Sequence, residues 1–478
     1  MEHAARSSAV ARESTPPAPP GEGVHGIALH VAIALASFAL LATAQLYAFT
    51  LLAQLSASRH GAVKAVLGVS AGAFLLFTAI SLLRQSALMV LAYGGAAGGA
   101  RHRLRETAVW PSVCVIVPAH NEAGRVEPAI EALLAADYPG LEILVVDDGS
   151  SDDTFARASR LAGRHGSKHV RVERKENGGK WSALNLGFHL TRAELVVCVD
   201  ADSQLAPDSL KLLARGFDDP TLGGCAGQVV IRERPNLIRQ LQALEYHLLN
   251  GLQRQAQSAM SSVLVAPGPL AMFRRCALEE VWQAWGKPEP LPITRAGARV
   301  NGPWEDDTFA EDADLTLNVL LTGRGVTYEP RAVSRTSAPD SIPKLLNQRY
   351  RWTRGSFQAA LKAWRRWHRS PKAPRRVLAW LGLFLVDSVV WPAVNLGGLA
   401  AFLLIVALFG VQDSLLVWIL ALTAMDLNEA AFAARLDRAD GSLLKLTPLN
   451  RVYYNILLDV GRFYALYDEL RGRSMRWS

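Results

Sequence analysis

Asp200-Ala-Asp202 closes a short run of valine and leucine, and Asp147-Asp148-Gly149 closes another. Carboxylates two residues apart at the end of an extended strand point to the same side. Two hard oxygens so placed suit Mg2+ or Mn2+, which keep few protein ligands and take others from a diphosphate. Taken alone, such a pair is equally a solvated strand end or a helix cap. A further apolar run ends in Pro118-Ala-His-Asn-Glu122 and brings Glu122 toward the same edge. Asn177-Gly-Gly-Lys180 precedes a helical stretch. Its glycines permit close backbone approach and a lysine near a helix start can meet phosphate charge, although a plain turn with a solvated lysine reads the same way. Carboxylates crowd the stretch from Glu305 to Asp314. Some must be first-turn acids of a helix over 315–321, and one can act as general base toward an acceptor hydroxyl. Gln348-Arg-Tyr-Arg351-Trp352, if helical, presents an amide, a guanidinium and an indole on one face. That face can bridge phosphates and stack on a sugar ring; it equally suits an amphipathic helix lying on a membrane surface.

The elements that must carry these groups are legible as well. Residues 113–117, 141–146 and 195–199 are short runs of Val, Ile and Leu, each followed by turn residues and a helical pattern. This predicts a parallel sheet covered on both faces, an α/β nucleotide-binding architecture. Ligands of such sheets bind beyond the carboxyl ends of the strands, where the polar groups above fall. Neither G-x-G-x-x-G after the first strand nor G-x-x-x-x-G-K-[ST] occurs, which excludes a dinucleotide fold and a P-loop enzyme. The four cysteines form no C-x-x-C pair and read as reduced thiols of a cytosolic domain.

The 478 residues are 50% hydrophobic and 20% charged, with a formal charge of +8. A mean hydropathy of +0.13 excludes a disordered or collagen-like chain. The apolar content is uneven: Gly23 to Ser58 contains no Asp, Glu, Lys or Arg. Since about 20 helical residues cross a bilayer, 27–55 and 65–83 are expected to span it, as are 388–412 and 414–435. Residues 449–470 carry more charge and suit either a third C-terminal span or an interfacial helix. The expected plan is a disordered tail (1–22), two spans and a linker (23–100), a cytosolic domain (101–340), interfacial helices (341–376) and C-terminal spans (377–478). The basic clusters at Arg101, Arg103 and Arg105 and from Lys362 to Arg376 abut apolar spans. They therefore read as cytoplasmic anchors of a multi-pass inner-membrane protein, with no nucleic-acid partner.

Taken in order, Asp147-Asp148-Gly149, Asp200-Ala-Asp202, Ala310-Glu311-Asp312 and Gln348-x-x-Arg351-Trp352 resemble the D-D-G, D-x-D, T-E-D and Q-x-x-R-W set of membrane-embedded, processive family 2 glycosyltransferases. These are the cellulose, poly-N-acetylglucosamine, chitin and hyaluronan synthases. Asn177-Gly-Gly-Lys180 with Ala183-Leu-Asn185 and Pro267-Gly268 to Arg275 resemble further motifs of that family; Ala310 and Pro267 depart from its usual Thr and Ser. The resemblance covers about 110–367 and implies a GT-A type nucleotide-sugar-binding domain inserted between N- and C-terminal transmembrane helices. It implies that Glu122, Asp147, Asp148, Lys180, Asp200, Gln348 and Arg351 bind a UDP-sugar, and that Asp202 with Asp200 holds Mg2+ or Mn2+. Asp312 would be the catalytic base, with Trp352, Gly268 and Glu311 at the acceptor. The implied product is a β-linked polymer of glucose or N-acetylglucosamine type passed across the membrane, with export or regulatory subunits as further partners. A single transfer to a lipid acceptor, or a non-catalytic subunit of an export complex, are the alternatives.

Overall fold

The structure, a computed structural model, describes residues 79–96, 110–286, 299–409, 413–437 and 441–473, together with Ala39 and Thr43. The expected tail, the first span apart from Ala39 and Thr43, most of the second and the basic cluster at Arg101 to Arg105 lie outside the described residues. A first helix, α1, covers 79–96. The end of the 23–100 segment, where the linker is expected, therefore includes helix as far as residue 96. Gly95 is needed there for packing, since a methyl group on it would stand 2.3 Å from the carbonyl of Gln255.

The central domain follows in order: β1 (Val113–Ala119), α2 (Val126–Leu134), β2 (Glu142–Asp148), α3 (Thr154–Arg160), β3 (Gly163–His165), β4 (Lys168–Lys175), α4 (Lys180–Leu190), β5 (Leu195–Cys198), β6 (Gln204–Leu205), β7 (Leu222–Ile231), α5 (Leu237–His247), β8 (Ala271–Arg274), α6 (Arg275–Trp285), α7 (Glu311–Leu321) and β9 (Gly325–Thr336). The strands form one sheet in the order β3-β4-β2-β1-β5-β8-β7-β9-β6. The half containing β4, β2, β1 and β5 is parallel, as expected. The expectation of an all-parallel sheet is corrected by β8, which runs antiparallel to both β5 and β7. Alternate residues of β1 enter opposite cores. Cys114 and Ile116 pack with Phe188 and Leu317 on one face, and Val115 and Val117 with Ile130 and Leu133 on the other. Burial on both faces is why this strand reads as one continuous apolar run.

The chain then forms α8 (Ile342–Trp367), α9 (Arg375–Leu385), a π-helical turn at Val386–Val390, α10 (Trp391–Phe409), α11 (Asp413–Asp437) and α12 (Asn455–Leu470). Among the described residues one helical stretch, Arg375–Ala400, is long and apolar enough to cross a membrane, with a mean hydropathy of 1.9. It begins before the expected 388–412. The expected span at 414–435 falls in α11, whose Glu429 accepts from Gln85 of α1 at 2.8 Å and whose Asp426 pairs with Arg451 at 2.6 Å. Arg84 of α1 likewise meets Asp387 at 2.6 Å. These charged groups thus pair across neighbouring helices, as burial away from water demands.

Candidate active site

The carboxyl edge of the parallel strands collects the expected residues. Asp147 and Asp148 end β2, while Asp200 and Asp202 follow β5. The β1–α2 loop is pinned to this edge by Asn121, which holds a left-handed φ of 56°. Its backbone N–H donates to Ser150 Oγ at 3.0 Å and its side-chain oxygen accepts from Ser151 N at 2.9 Å. Gly149, at φ 71°, brings the β2 turn against the next loop. A methyl group there would meet Asn177 N at 2.6 Å, so only glycine fits.

Asp148 accepts from Lys175 Nζ at 2.5 Å and from the backbone N–H groups of Gly178 and Gly179 at 3.0 and 2.8 Å. It therefore shapes the Asn177-Gly-Gly-Lys180 turn from beneath, a job that composition and spacing did not reveal. Asp147 is buried, with Arg174 Nε 3.1 Å away and neither oxygen hydrogen-bonded among the described residues. A buried carboxylate left in this condition suits a ligand donor.

The turn delivers Lys180 to the centre of the site. Its Nζ lies 2.7 Å from Asp200 Oδ1 and 2.9 Å from Glu311 Oε1. Burial opposes its charge, but Asp200, Glu311 and Asp312 more than offset this and hold the ammonium well above its ordinary range. Gly268 lies against this pair, where a methyl group would stand 2.6 Å from Lys180 Nζ. Its N–H donates to Asp312 Oδ2 at 3.2 Å. Lys180, Gly268, Glu311, Asp312, Trp304 and Phe273 line one small pocket.

Asp312 sits in the first turn of α7, where Ala313 N donates to Oδ1 at 2.8 Å. The crowd of acids around it is sorted by α8. Lys362 takes Glu305, Asp307 and Asp314 at 3.2, 2.6 and 2.9 Å, and Arg366 takes Glu305 at 2.6 Å. The reading of Lys362 and Arg366 as membrane-side anchors is thereby corrected, because both are committed to the acidic loop. Asp306 faces Arg299 at 3.9 Å and Glu311 faces Lys180. Asp312 is left with no ion pair among the described residues. Burial, then the neighbouring Glu311, pushes its carboxyl up to about 6 against the pull of Lys180. Asp314 is also pushed up to about 6 by burial, but its contact with Lys362 ties it to α8.

Asp202 Oδ1 accepts from Thr336 Oγ1 at 3.2 Å and Ser203 Oγ at 3.3 Å. Burial, then the charge of Asp200, raises its proton affinity. Burial raises that of Glu122 as well, with Asp202 and Asp200 adding to it and Arg125 opposing. Among the described residues no group of three His, Cys, Asp or Glu side chains is arranged so that it could hold a metal ion by itself. One or two carboxylates with room for phosphate oxygens is the donor set Mg2+ or Mn2+ accepts, so the residues fit such an ion.

Gln348, Arg351 and Trp352 share one face of α8, as expected for a helix. Gln348 Oε1 accepts from Arg349 at 2.9 Å, and the Arg349 guanidinium stacks 4.3 Å from the Trp352 ring, which is 41% exposed. Arg351 Nε is buried without a hydrogen-bond partner among the described residues. The residue that seats α8 on the site is Gly355, which sequence reading passed over. A methyl group there would stand 2.5 Å from Ala310 N, at the start of α7. Asn185 is a second clamp: its side chain donates to the carbonyls of Val300 and Trp304 and accepts from Trp304 N, at 2.8, 2.8 and 3.1 Å.

An α/β sheet with acids at its carboxyl edge, a lysine between two of them and a buried carboxylate in a facing helix defines a nucleotide-sugar transferase. The comparisons agree. The family model described as glycosyl transferase family 2 matches residues 114–282. An N-acetylglucosaminyltransferase of Mesorhizobium japonicum is 32% identical over 342 residues, which is 68% of this chain and 73% of that protein. The poly-beta-1,6-N-acetyl-D-glucosamine synthase of Staphylococcus epidermidis is 28% identical over 251 residues, 52% of this chain and 56% of the relative. The chain thus spans just over half the length of that curated relative. A mannosyltransferase from Pyrobaculum calidifontis, solved with GDP-Man and Mn2+, shares the fold with a TM-score of 0.52 at 22% identity, over 82% of this chain and 99% of that one. The chain belongs to glycosyl transferase family 2, and its central domain has the mixed α/β GT-A-like fold of such enzymes.

Proposed function

We propose that the protein is an inverting, processive transferase that polymerises a UDP-sugar of glucose or N-acetylglucosamine type into a β-linked glycan and passes it across the membrane. The observation that carries this reading is Asp312. Among the described residues it is the acid of the 305–314 cluster that makes no ion pair, and it shares a pocket with Lys180 and Glu311. A carboxylate whose proton affinity lies near neutrality suits a general base. Asp312 accepts the proton of the acceptor hydroxyl as that oxygen attacks the anomeric carbon, and UDP leaves from the opposite face. One displacement inverts the anomeric configuration and needs no enzyme nucleophile.

The donor is held by the carboxyl edge. Asp147 and Glu122 meet the nucleoside and Asp148 sets the turn beneath Lys180. Asp200 and Asp202 would hold Mg2+ or Mn2+, which, when bound, supplies charge neutralisation for the departing diphosphate. Lys180 and the unpartnered Nε of Arg351 add positive charge at the same leaving group. Trp352, exposed and stiffened by Arg349, would offer its face to the terminal sugar of the acceptor, with Gly268 and Glu311 as further acceptor contacts. The apolar Arg375–Ala400 stretch, with the spans expected nearer the N-terminus, would anchor the enzyme in the inner membrane and line the exit path.

The test is product size. Purified protein supplied with each UDP-sugar in turn should yield a polymer, with N-acetylglucosamine the first donor to try given the names of the relatives. A product limited to one sugar on a lipid would refute processivity and favour the lipid-acceptor alternative.

A further inference from the structure

The last turn of α12 is linked through α8 to the segment that leads into α7, although it comes from the far end of the chain. Arg354, which is 2% exposed, lies on α8 beside Gly355 with its guanidinium 5.4 Å over the Phe309 ring. It donates from Nε to Glu469 Oε2 at 2.9 Å, from Nη1 to the Tyr350 hydroxyl at 2.9 Å, and from Nη2 to the Arg473 carbonyl at 2.8 Å. Gln358, one turn further along, donates to the same Glu469 oxygen at 2.8 Å. Its own side-chain oxygen accepts from Phe309 N at 3.2 Å. The Tyr350 hydroxyl in turn donates to Asp468 Oδ2 at 2.8 Å. Phe309 is followed directly by Ala310, Glu311 and Asp312. A carboxylate of α12 thus orients two side chains of α8, and these hold the backbone from which the catalytic helix starts.

We propose that Glu469 is a positioning residue for sugar transfer: by fixing Arg354 and Gln358 it sets the depth at which α7 presents Asp312 to the acceptor. The proposal rests on the reading of Asp312 as the base. The hydrogen bonds of Glu469, Arg354 and Gln358 described above run between α8, α12 and Phe309, away from Lys180, Asp200 and Asp202, so the donor side of the site should be little affected by them. A displaced Asp312 should lower kcat and leave donor binding alone, since small misplacements of a catalytic group act on the transition state.

The experiment uses the full chain in detergent or in membranes, with kcat expressed per folded molecule. Glu469→Gln removes the charge and keeps the shape, and should lower kcat about tenfold; Glu469→Ala should lower it by roughly a hundredfold. Donor KM and UDP affinity should stay at wild-type values in both. Gln358→Met keeps the Arg354–Glu469 pair but removes the acceptor for Phe309 N. It should show the same split, and it decides the matter by itself if the Glu469 variants do not fold. The double variant Glu469→Gln/Gln358→Met should be less impaired than the product of the two single losses, because both act through one contact. Wild-type kcat in Glu469→Gln and Gln358→Met, beside an inactive Asp312→Asn, would overturn the positioning role and leave the base in place. Full transfer by Asp312→Asn would overturn the base and the positioning role together.

Discussion

Gly355→Ala is a sharp probe of how α8 is seated, because its two effects oppose each other. In the interior of a helix the change gains about 1 kcal/mol of helix propensity. Against that, the added methyl would stand 2.5 Å from Ala310 N and 2.7 Å from both Ala310 Cβ and the Phe309 carbonyl carbon. Ordinary contact lies at about 3.5 Å, so α8 and the start of α7 must separate by roughly 1 Å. The obstructing atoms are mainly backbone, which cannot rotate aside. Overpacking of this kind costs about 1–3 kcal/mol, so the net change in stability should be a loss on the order of 1 kcal/mol. Turnover should suffer more. A displacement of about 1 Å at the catalytic group costs about a hundredfold in rate, whereas Asp148 and Lys180, proposed to serve the donor side, lie on other elements. Initial rates at saturating UDP-sugar, UDP binding by calorimetry and thermal unfolding in detergent read the three quantities separately. A Gly355→Ala protein that is more stable than wild type and turns over at the wild-type rate would refute the close-seating account.

The remaining predictions concern charge. Because Asp312 must be ionised to accept a proton and its carboxyl is held at about 6, kcat/KM should rise with pH through a midpoint near 6; a limb near 4, the ordinary aspartate range, would contradict it. The same shift carries a stability sign. A folded-state value raised above the unfolded one stabilises at low pH, and that contribution is lost as pH rises through about 6. Asp148→Asn removes the carboxylate charge that Lys175 Nζ meets in the interior and should cost about 3 kcal/mol, with weakened UDP binding; unchanged unfolding and binding would remove Asp148 from its supporting role. Chelation with EDTA should stop transfer and Mg2+ or Mn2+ should restore it, while full activity in EDTA would reject the assignment to Asp200 and Asp202.

Much of the strand edge that carries the candidate site was legible in the sequence because buried strands announce themselves. The apolar runs of β1, β2 and β5 can exist only where both faces are covered, and the acids that follow them mark the ligand edge. β7 was not legible. Gly223, Gly224 and Gly227 lower its strand signal, yet a methyl at Gly227 would collide with Leu270 at 2.3 Å and one at Gly224 would press on Phe273, so these two make room for β8 and its connection, while Gly223 makes room for Val319 of α7. The order of the acidic motifs was legible, but not which acid is free, since that depends on Lys362 and Arg366 arriving from another helix. Those two read as membrane anchors from position alone. Gly355 had a usable signal: a glycine inside a long helix is costly unless something must come close. The link from Glu469 to Phe309 had none, because only tertiary packing brings α12 to that loop.

The central claim is that Asp312 is the base of a glycosyl transfer. Asp312→Asn keeps the side-chain volume and an acceptor for the Gly268 N–H, and it does not disturb Lys180's contacts with Asp200 and Glu311. Transfer by this variant, measured alongside its UDP binding, should be abolished while UDP affinity stays near that of the wild type. Transfer at the wild-type rate would contradict the account.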